Sequence, residues 1–206
     1  MYRSILIAAA VALSSGAALA QDKASVSIDP AKVEAVVKST FSKAPQDWQA
    51  RIVLDDTQRL CTLHRNQVSA ADADAIQKRE TARVVLPADG KYLGDWKKGF
   101  AVANSGQGGQ FSDGPTTVNG GNCYACHQMD PKEVSYGTLG PSLAAYGKER
   151  KYEPAAIKDA WTKIYDSQAV VACSNMPRFG ASKVLSDQQL KDVMAYLFDP
   201  ESPVNK

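Results

Sequence analysis

Apolar side chains recur at intervals of three and four along this chain, the spacing that lines them up on one face of a helix. Asp29-Pro30 has the form of a helix start, and Val33, Val36, Val37 and Phe41 follow on one face. Ser69-Ala70-Ala71-Asp72 resembles a capping sequence and opens a helix that runs to about Arg83. Pro45 and Pro87 interrupt the pattern on either side. With no strong strand pattern, residues 21–89 read as two or three short helices. Their apolar faces must pack on the rest of the chain or on a partner.

The second half carries longer helical signals. Gly94 to Ala103 places Trp96, Phe100 and Ala103 on one face. Its expected mate is the last helix, where Ser186 and Gln189 form a capping box and Leu190, Val193, Met194 and Leu197 follow at i, i+3, i+4 and i+7. Gly99, beside Tyr196, allows a close approach, and each large apolar side chain buried there stabilises by about 1.5–3 kcal/mol. Pro154 starts a further helix with Ile157, Trp161, Ile164 and Tyr165 on one apolar face, which is expected to wall the functional pocket. Between the first of these helices and the next motif, residues 105–121 are rich in Gly, Ser, Asn and Gln. That is turn chemistry, for a solvated loop or for a place where a partner docks.

Composition adds the class and the compartment. The chain has 206 residues, 44% hydrophobic and 22% charged, enough for one domain or a small domain with an extension. A net charge of +2, from 24 basic and 22 acidic residues, predicts no nucleic-acid partner. Residues 1–20 have the layout of a secretory signal: Arg3, an apolar run from Ile5 to Leu13, then Ala18-Leu19-Ala20 before Gln21. The alternative, a membrane anchor, needs a longer run than one broken by Ser14, Ser15 and Gly16. The expectation is cleavage after Ala20, no membrane span and a soluble periplasmic protein.

The candidate chemistry lies at Cys123-Tyr124-Ala125-Cys126-His127. Cys-x-x-Cys-His attaches a c-type haem: two thiols add across the vinyl groups of one porphyrin and the next imidazole reaches the iron. A zinc site is the rival, and Cys61-Thr62-Leu63-His64 would supply further ligands. The export signal, Leu139-Gly140-Pro141-Ser142-Leu143, and Met176-Pro177-Arg178-Phe179-Gly180 favour one covalently attached haem c. Met176 is the expected sixth ligand, with Met129, Met194 and His64 as alternatives. Met129 stands too close to His127, Met194 belongs to a packed face, and His64 lacks a comparable loop. Met/His ligation stabilises reduced iron. Arg178 joins Cys123, Cys126, His127, Pro141 and Met176 in the candidate cofactor-binding set, and no catalytic residue is expected. Cys61 and Cys173 then remain. An oxidising compartment favours their pairing, which would staple the extension to the distal side of the haem domain, although two separate buried thiols fit the sequence as well.

Several of these elements are those of class I cytochromes c, which the region around the motif resembles. That resemblance implies an all-α class I cytochrome c fold over residues 92–206, with a helical extension over residues 21–91. It also implies that the carbonyl of Pro141 accepts the outer ring N–H of His127. Gln58-x-x-Cys61, Gly94-Asp95-Trp96-Lys97, the Gly-rich approach to the haem motif and Asn175-Met176-Pro177-Arg178-Phe179-Gly180 together resemble the SoxX family, monohaem subunits of SoxXA cytochromes in thiosulfate oxidation. The resemblance implies a SoxA-like cytochrome partner in a heterodimer, a SoxYZ-like carrier whose cysteine receives thiosulfate, and a small soluble cytochrome c as acceptor. This chain would pass electrons, and nothing in it matches a SoxA-type substrate-binding cysteine unless Cys61 or Cys173 is free. A stand-alone electron carrier and a haem protein with an open iron site are the other two classes. The extension argues against the first, Met176 against the second.

Overall fold

Among the described residues, five α-helices start where a side chain takes up a first-turn amide, and two others start at or just after a proline. In a computed structural model that describes residues 29–206 apart from Phe111, Asp29 caps α1 (Pro30–Thr40) by accepting from the Ala31 amide. The expected signal sequence and residues 21–28 lie outside the described residues. Helix α2 (Gln46–Ile52) follows Pro45, and α3 (Asp56–Leu63) opens with a capping box between Asp55 and Gln58. Ser69 caps α4 (Ala70–Thr81) and Asp95 caps α5 (Trp96–Asn104). The short α6 (Tyr146–Glu149) precedes α7 (Pro154–Tyr165), and the Ser186/Gln189 box opens α8 (Asp187–Phe198). Single 3-10 turns lie at Cys123–Ala125, Ser167–Ala169 and Pro203–Asn205. Among the described residues all regular structure is helical, and no helix is long and apolar enough to cross a membrane.

The extension holds four helices, α1 to α4, rather than two or three. Helices α2 and α3 span only 7 and 8 residues, too short to display an apolar period. Helix α4 ends at Thr81, two residues short of Arg83.

The frame of the molecule is the crossing of α5 on α8, the most extensive helix pair among the described residues. Gly99 sets its closeness: a Cβ there would lie 2.0 Å from the Asp192 carbonyl oxygen and 2.9 Å from Tyr196 Cβ. Phe100 meets Tyr196 edge to face with centroids 5.6 Å apart. The amides of Gly94 and Asp95 donate to Lys191 O and Asp192 Oδ1, both at 2.9 Å. Helices α6 and α7 and the C-terminal 3-10 turn cover the rest of α8, which is therefore buried on nearly every side instead of one. Gly99→Ala is expected to force the helices apart and to cost about 1–3 kcal/mol, the usual penalty of overpacking, measured by denaturant unfolding of the purified protein.

The extension joins this body through a second, smaller core. Cys61, Ile76 and Cys173 form it, with Leu60, Val68 and Ala172 packed around them. Cys61 and Cys173 are disulfide-bonded across 112 residues, and α4 packs on the Ser167–Ala169 turn.

Candidate haem site

The Cys-x-x-Cys-His sequence forms a tight turn. Asn122 enters it with a left-handed backbone (φ 47°), and the amides of Cys126 and His127 both donate to the Cys123 carbonyl, at 3.1 and 2.9 Å. Tyr124 is buried beneath it. Its hydroxyl lies 2.7 Å from that of Tyr196 on α8 and accepts the Asp130 amide at 3.0 Å, which pins the turn to the frame. Tyr124 is a functional residue that the sequence reading passes over, because it fills a variable position of the motif; its one signal is a large aromatic among small and polar neighbours.

A cavity of about 360 Å³ opens beside this turn. Cys123, His127, Pro141 and Met176 all line it, with Leu143, Ile164, Phe179, Leu185, Val193 and Leu197 supplying apolar wall. His127 Nδ1 lies 2.7 Å from the Pro141 carbonyl oxygen. A carbonyl only accepts, so Nδ1 carries the proton and Nε2 keeps the lone pair a metal needs. The neighbouring Gly140 has no alternative, since a Cβ there would stand 2.2 Å from His127 Cε1. Gly140→Ala is expected to rotate the imidazole off the Pro141 carbonyl and to lower the melting temperature of the haem-loaded protein, with about 1–3 kcal/mol of overpacking as the scale.

Met176 arrives from a different segment, its carbonyl held by Ser167 Oγ at 2.5 Å and its amide donating to Ser174 Oγ at 3.2 Å. Met129 also reaches the cavity and is 1% exposed, so two thioethers line it. Only Met176 comes from a segment other than the one that bears His127. Met194 is buried in the core and His64 is exposed at the end of α3, so neither lines the cavity.

These residues fit a haem. An apolar slot with one tautomerically fixed imidazole, a neutral soft sulfur donor and an adjacent thiol matches what a porphyrin iron and its vinyl edge require. Burial pushes the Cys123 thiol up to about 12. Three charged groups interrupt the apolar lining: the Asp159 carboxylate and two cations that could meet the carboxylates of a haem. Arg150 is stacked 3.6 Å over Tyr146, and Lys163 donates to Ser167 O at 3.3 Å, its ammonium lowered by burial.

Three expectations need adjustment. Of the α7 residues expected to wall the haem, only Ile164 does so, beside Asp159, Ala160 and Lys163. Trp161 turns the other way, donating to Val85 O at 2.9 Å and meeting Tyr92 edge to face, and Tyr165 stacks on it. Arg178 does not line the cavity. Its guanidinium donates to Asp55 at 2.7 Å and Glu80 at 3.3 Å, carboxylates supplied by the extension, so it holds the chain together instead of touching a cofactor. Cys126 is half-buried at the end of the turn and does not line the cavity either. The Cys61–Cys173 bond leaves neither sulfur free.

Comparison with known proteins bears on the same residues. Residues 109–197 match the family described as cytochrome C oxidase, cbb3-type, subunit III, a stretch that contains the Cys-x-x-Cys-His turn and Met176. The chain is also 36% identical over 179 residues to a protein of Aquifex aeolicus (strain VF5) named an uncharacterized lipoprotein, an alignment covering 85% of this chain and 84% of that one. That likeness extends beyond the haem-bearing stretch into the extension.

Proposed function

The chain belongs to the family of the Aquifex aeolicus protein and carries an all-α, haem-binding cytochrome c domain for electron transfer, and on that premise we propose that it is an exported c-type cytochrome with one covalently attached haem. Cys123 and Cys126 carry the thioether links, and His127 and Met176 are the axial ligands. The haem supplies one-electron chemistry at its iron. The protein's part is to fix both ligands, exclude water and keep the reduced state favourable. His127 is oriented by Pro141, and the apolar wall from Leu143 to Leu197 lowers the local dielectric. One observation carries this reading: Cys123 and His127, and Met176 from 49 residues beyond His127, converge on one apolar cavity. Pyridine haemochrome spectra and the intact mass of the purified protein test it. A mass equal to the bare chain sinks covalent attachment.

Within that class we propose the SoxX-type role: the electron-transferring subunit of a heterodimer with a SoxA-like cytochrome, which joins thiosulfate to a carrier cysteine and releases electrons to a small soluble cytochrome c. Three features support it. The extension is firmly attached to the haem domain and not a detached tail. Helices α1 and α2 flank an apolar groove of about 590 Å³ lined by Val37, Phe41, Trp48 and Ile52, with Val36 and Val53 exposed nearby, a surface for a partner subunit. The chain has no free thiol outside the haem motif, so the substrate-bearing sulfur belongs to the partner. The relative's description as a lipoprotein fits export to the periplasm.

A stand-alone carrier is the second reading, favoured by the family match, which covers the haem-bearing stretch alone. Gentle purification separates the two. A stoichiometric second c-type cytochrome, with haem reduction on adding thiosulfate and the carrier, is the expected result; a lone monohaem protein supports the simple carrier.

A further inference from the structure

The loop that carries Met176 is held from within by the Ser167 and Ser174 hydroxyls and from outside by the extension. Between Asp166 and Arg178 its one regular element is the Ser167–Ala169 turn, and Val170 and Val171 are 43% and 50% exposed. The extension grips it on both flanks of the methionine. Before Met176, Gln77 Nε2 donates to Val170 O at 2.8 Å, Thr81 Oγ1 to Ala169 O at 3.4 Å, and Cys61 is bonded to Cys173. At Asn175 itself, Asn66 Nδ2 donates to the side-chain oxygen at 3.2 Å. After it, Arg178 reaches back to Asp55 and Glu80. Cys173 also stands at φ 57°, a left-handed conformation that a non-glycine residue keeps only when its surroundings dictate it. Every one of these partners belongs to α3, α4 or the segment between them or just before them.

We propose that the extension governs the sixth position of the iron, with the Cys61–Cys173 disulfide and Arg178 as positioning elements for Met176, and that reducing the disulfide opens that position to a small ligand. The inference rests on Met176 being an axial ligand. In the reductive step a dithiol reductant gives two electrons and two protons: its own sulfurs become a disulfide, the Cys61–Cys173 bond breaks, and each sulfur gains one proton. The haem iron takes no part in that exchange. What changes is the loop, which loses its tie three residues before Met176 and keeps only hydrogen bonds and the Arg178 ion pairs. Once the covalent tie is gone, the remaining hydrogen bonds let the loop sample open states, and the methionine leaves a site that the fold no longer holds shut. A cytochrome that only shuttles electrons becomes one that binds ligand, under control of the thiol balance of its compartment.

The test uses the full haem-loaded chain. Native protein is expected to show the sulfur-to-iron charge-transfer band when oxidised and to refuse carbon monoxide when reduced. Absence of the band in native protein removes the ligation on which the inference stands. The Cys61→Ala/Cys173→Ala double variant is expected to lose most of the band and to bind carbon monoxide stoichiometrically while keeping its helical content. Arg178→Gln is expected to lose the band in part, and Arg178→Lys to restore it. Should the double variant fail to fold, native protein is treated with a dithiol, and the two thiols released are counted against carbon monoxide uptake. A double variant, or a reduced native protein with two free thiols, that keeps the full band and still excludes carbon monoxide overturns the inference.

Discussion

Met176→Ala is expected to yield a folded, haem-loaded protein without the sulfur-to-iron band, with a reduced form that binds carbon monoxide and a reduction potential lower by on the order of 0.1 V or more, a modest part of the roughly 0.8 V that axial ligands span. The thioether favours ferrous iron, so removing it favours the ferric state. The fold should survive, because the half-buried side chain lines a cavity and the loop is tied on either side through Cys173 and Arg178. Met129 provides the control. It lines the same cavity and is far more buried, yet it follows His127 by two residues on the same segment. Met129→Leu is therefore expected to keep band and potential, with a volume-conserving cost below about 1.5 kcal/mol. His64→Ala, at an exposed position, is expected to change neither. A Met129→Leu variant that loses the band while Met176→Ala keeps it would reverse the assignment of the sixth ligand.

What was legible in advance was local. The Ser186/Gln189 box, the α8 period and the close approach at Gly99 each depend on a few neighbouring residues, and the structure forms them all. The Pro141 carbonyl on His127 was implied by the resemblance to class I cytochromes c, and the structure forms it. What escaped was set by distant partners. Helix α7 has a broad apolar surface, and a period cannot say which half meets the cavity; Val85 and Tyr92 draw Trp161 away and leave Ile164 to the wall. Arg178 looked like part of a haem loop because it follows Met176-Pro177. Its partners Asp55 and Glu80 lie 123 and 98 residues away, beyond any local pattern. The Asp55 box went unseen because α3 is short, although Asp55 and Gln58 carry its signature.

Glu80 is where that hidden junction is most costly to break, and Glu80→Ala is expected to destabilise the protein by about 3–5 kcal/mol near neutral pH. Its carboxylate is fully buried on α4, accepts from Thr57 Oγ1, and meets Arg83 at 3.0 Å and Arg178 at 3.3 Å. Burial alone would raise it, but hydrogen bonds from Thr57 and Asp166 and the two guanidinium groups outweigh burial and hold it below the ordinary carboxylate value. Truncation strands Arg178 at 8% exposure with only Asp55 to answer it. Asp166 behaves in the opposite sense. It is fully buried at the end of α7, Oδ1 accepts the Gln168 amide at 3.1 Å, and Oδ2 has no donor to accept from. Burial, then the neighbouring Glu80, push its carboxyl up from 3.8 to about 6, so it keeps a proton to give to Glu80. Between those two values the folded state binds more protons than the unfolded chain, and this group's contribution to stability falls as pH rises. Asp166→Asn supplies the same donor without titrating. It is expected to match wild type below the window and to be more stable above it, by up to about 3 kcal/mol, given about 1.4 kcal/mol per pKa unit. Denaturant unfolding of the haem-loaded, disulfide-intact protein across the window reads both variants, and a difference between wild type and Asp166→Asn that stays flat with pH would sink the shared proton. Below about pH 6 the proton sits on Asp166 and the charge on Glu80, the arrangement in which Glu80 is costly to remove and Asp166 favourable to neutralise.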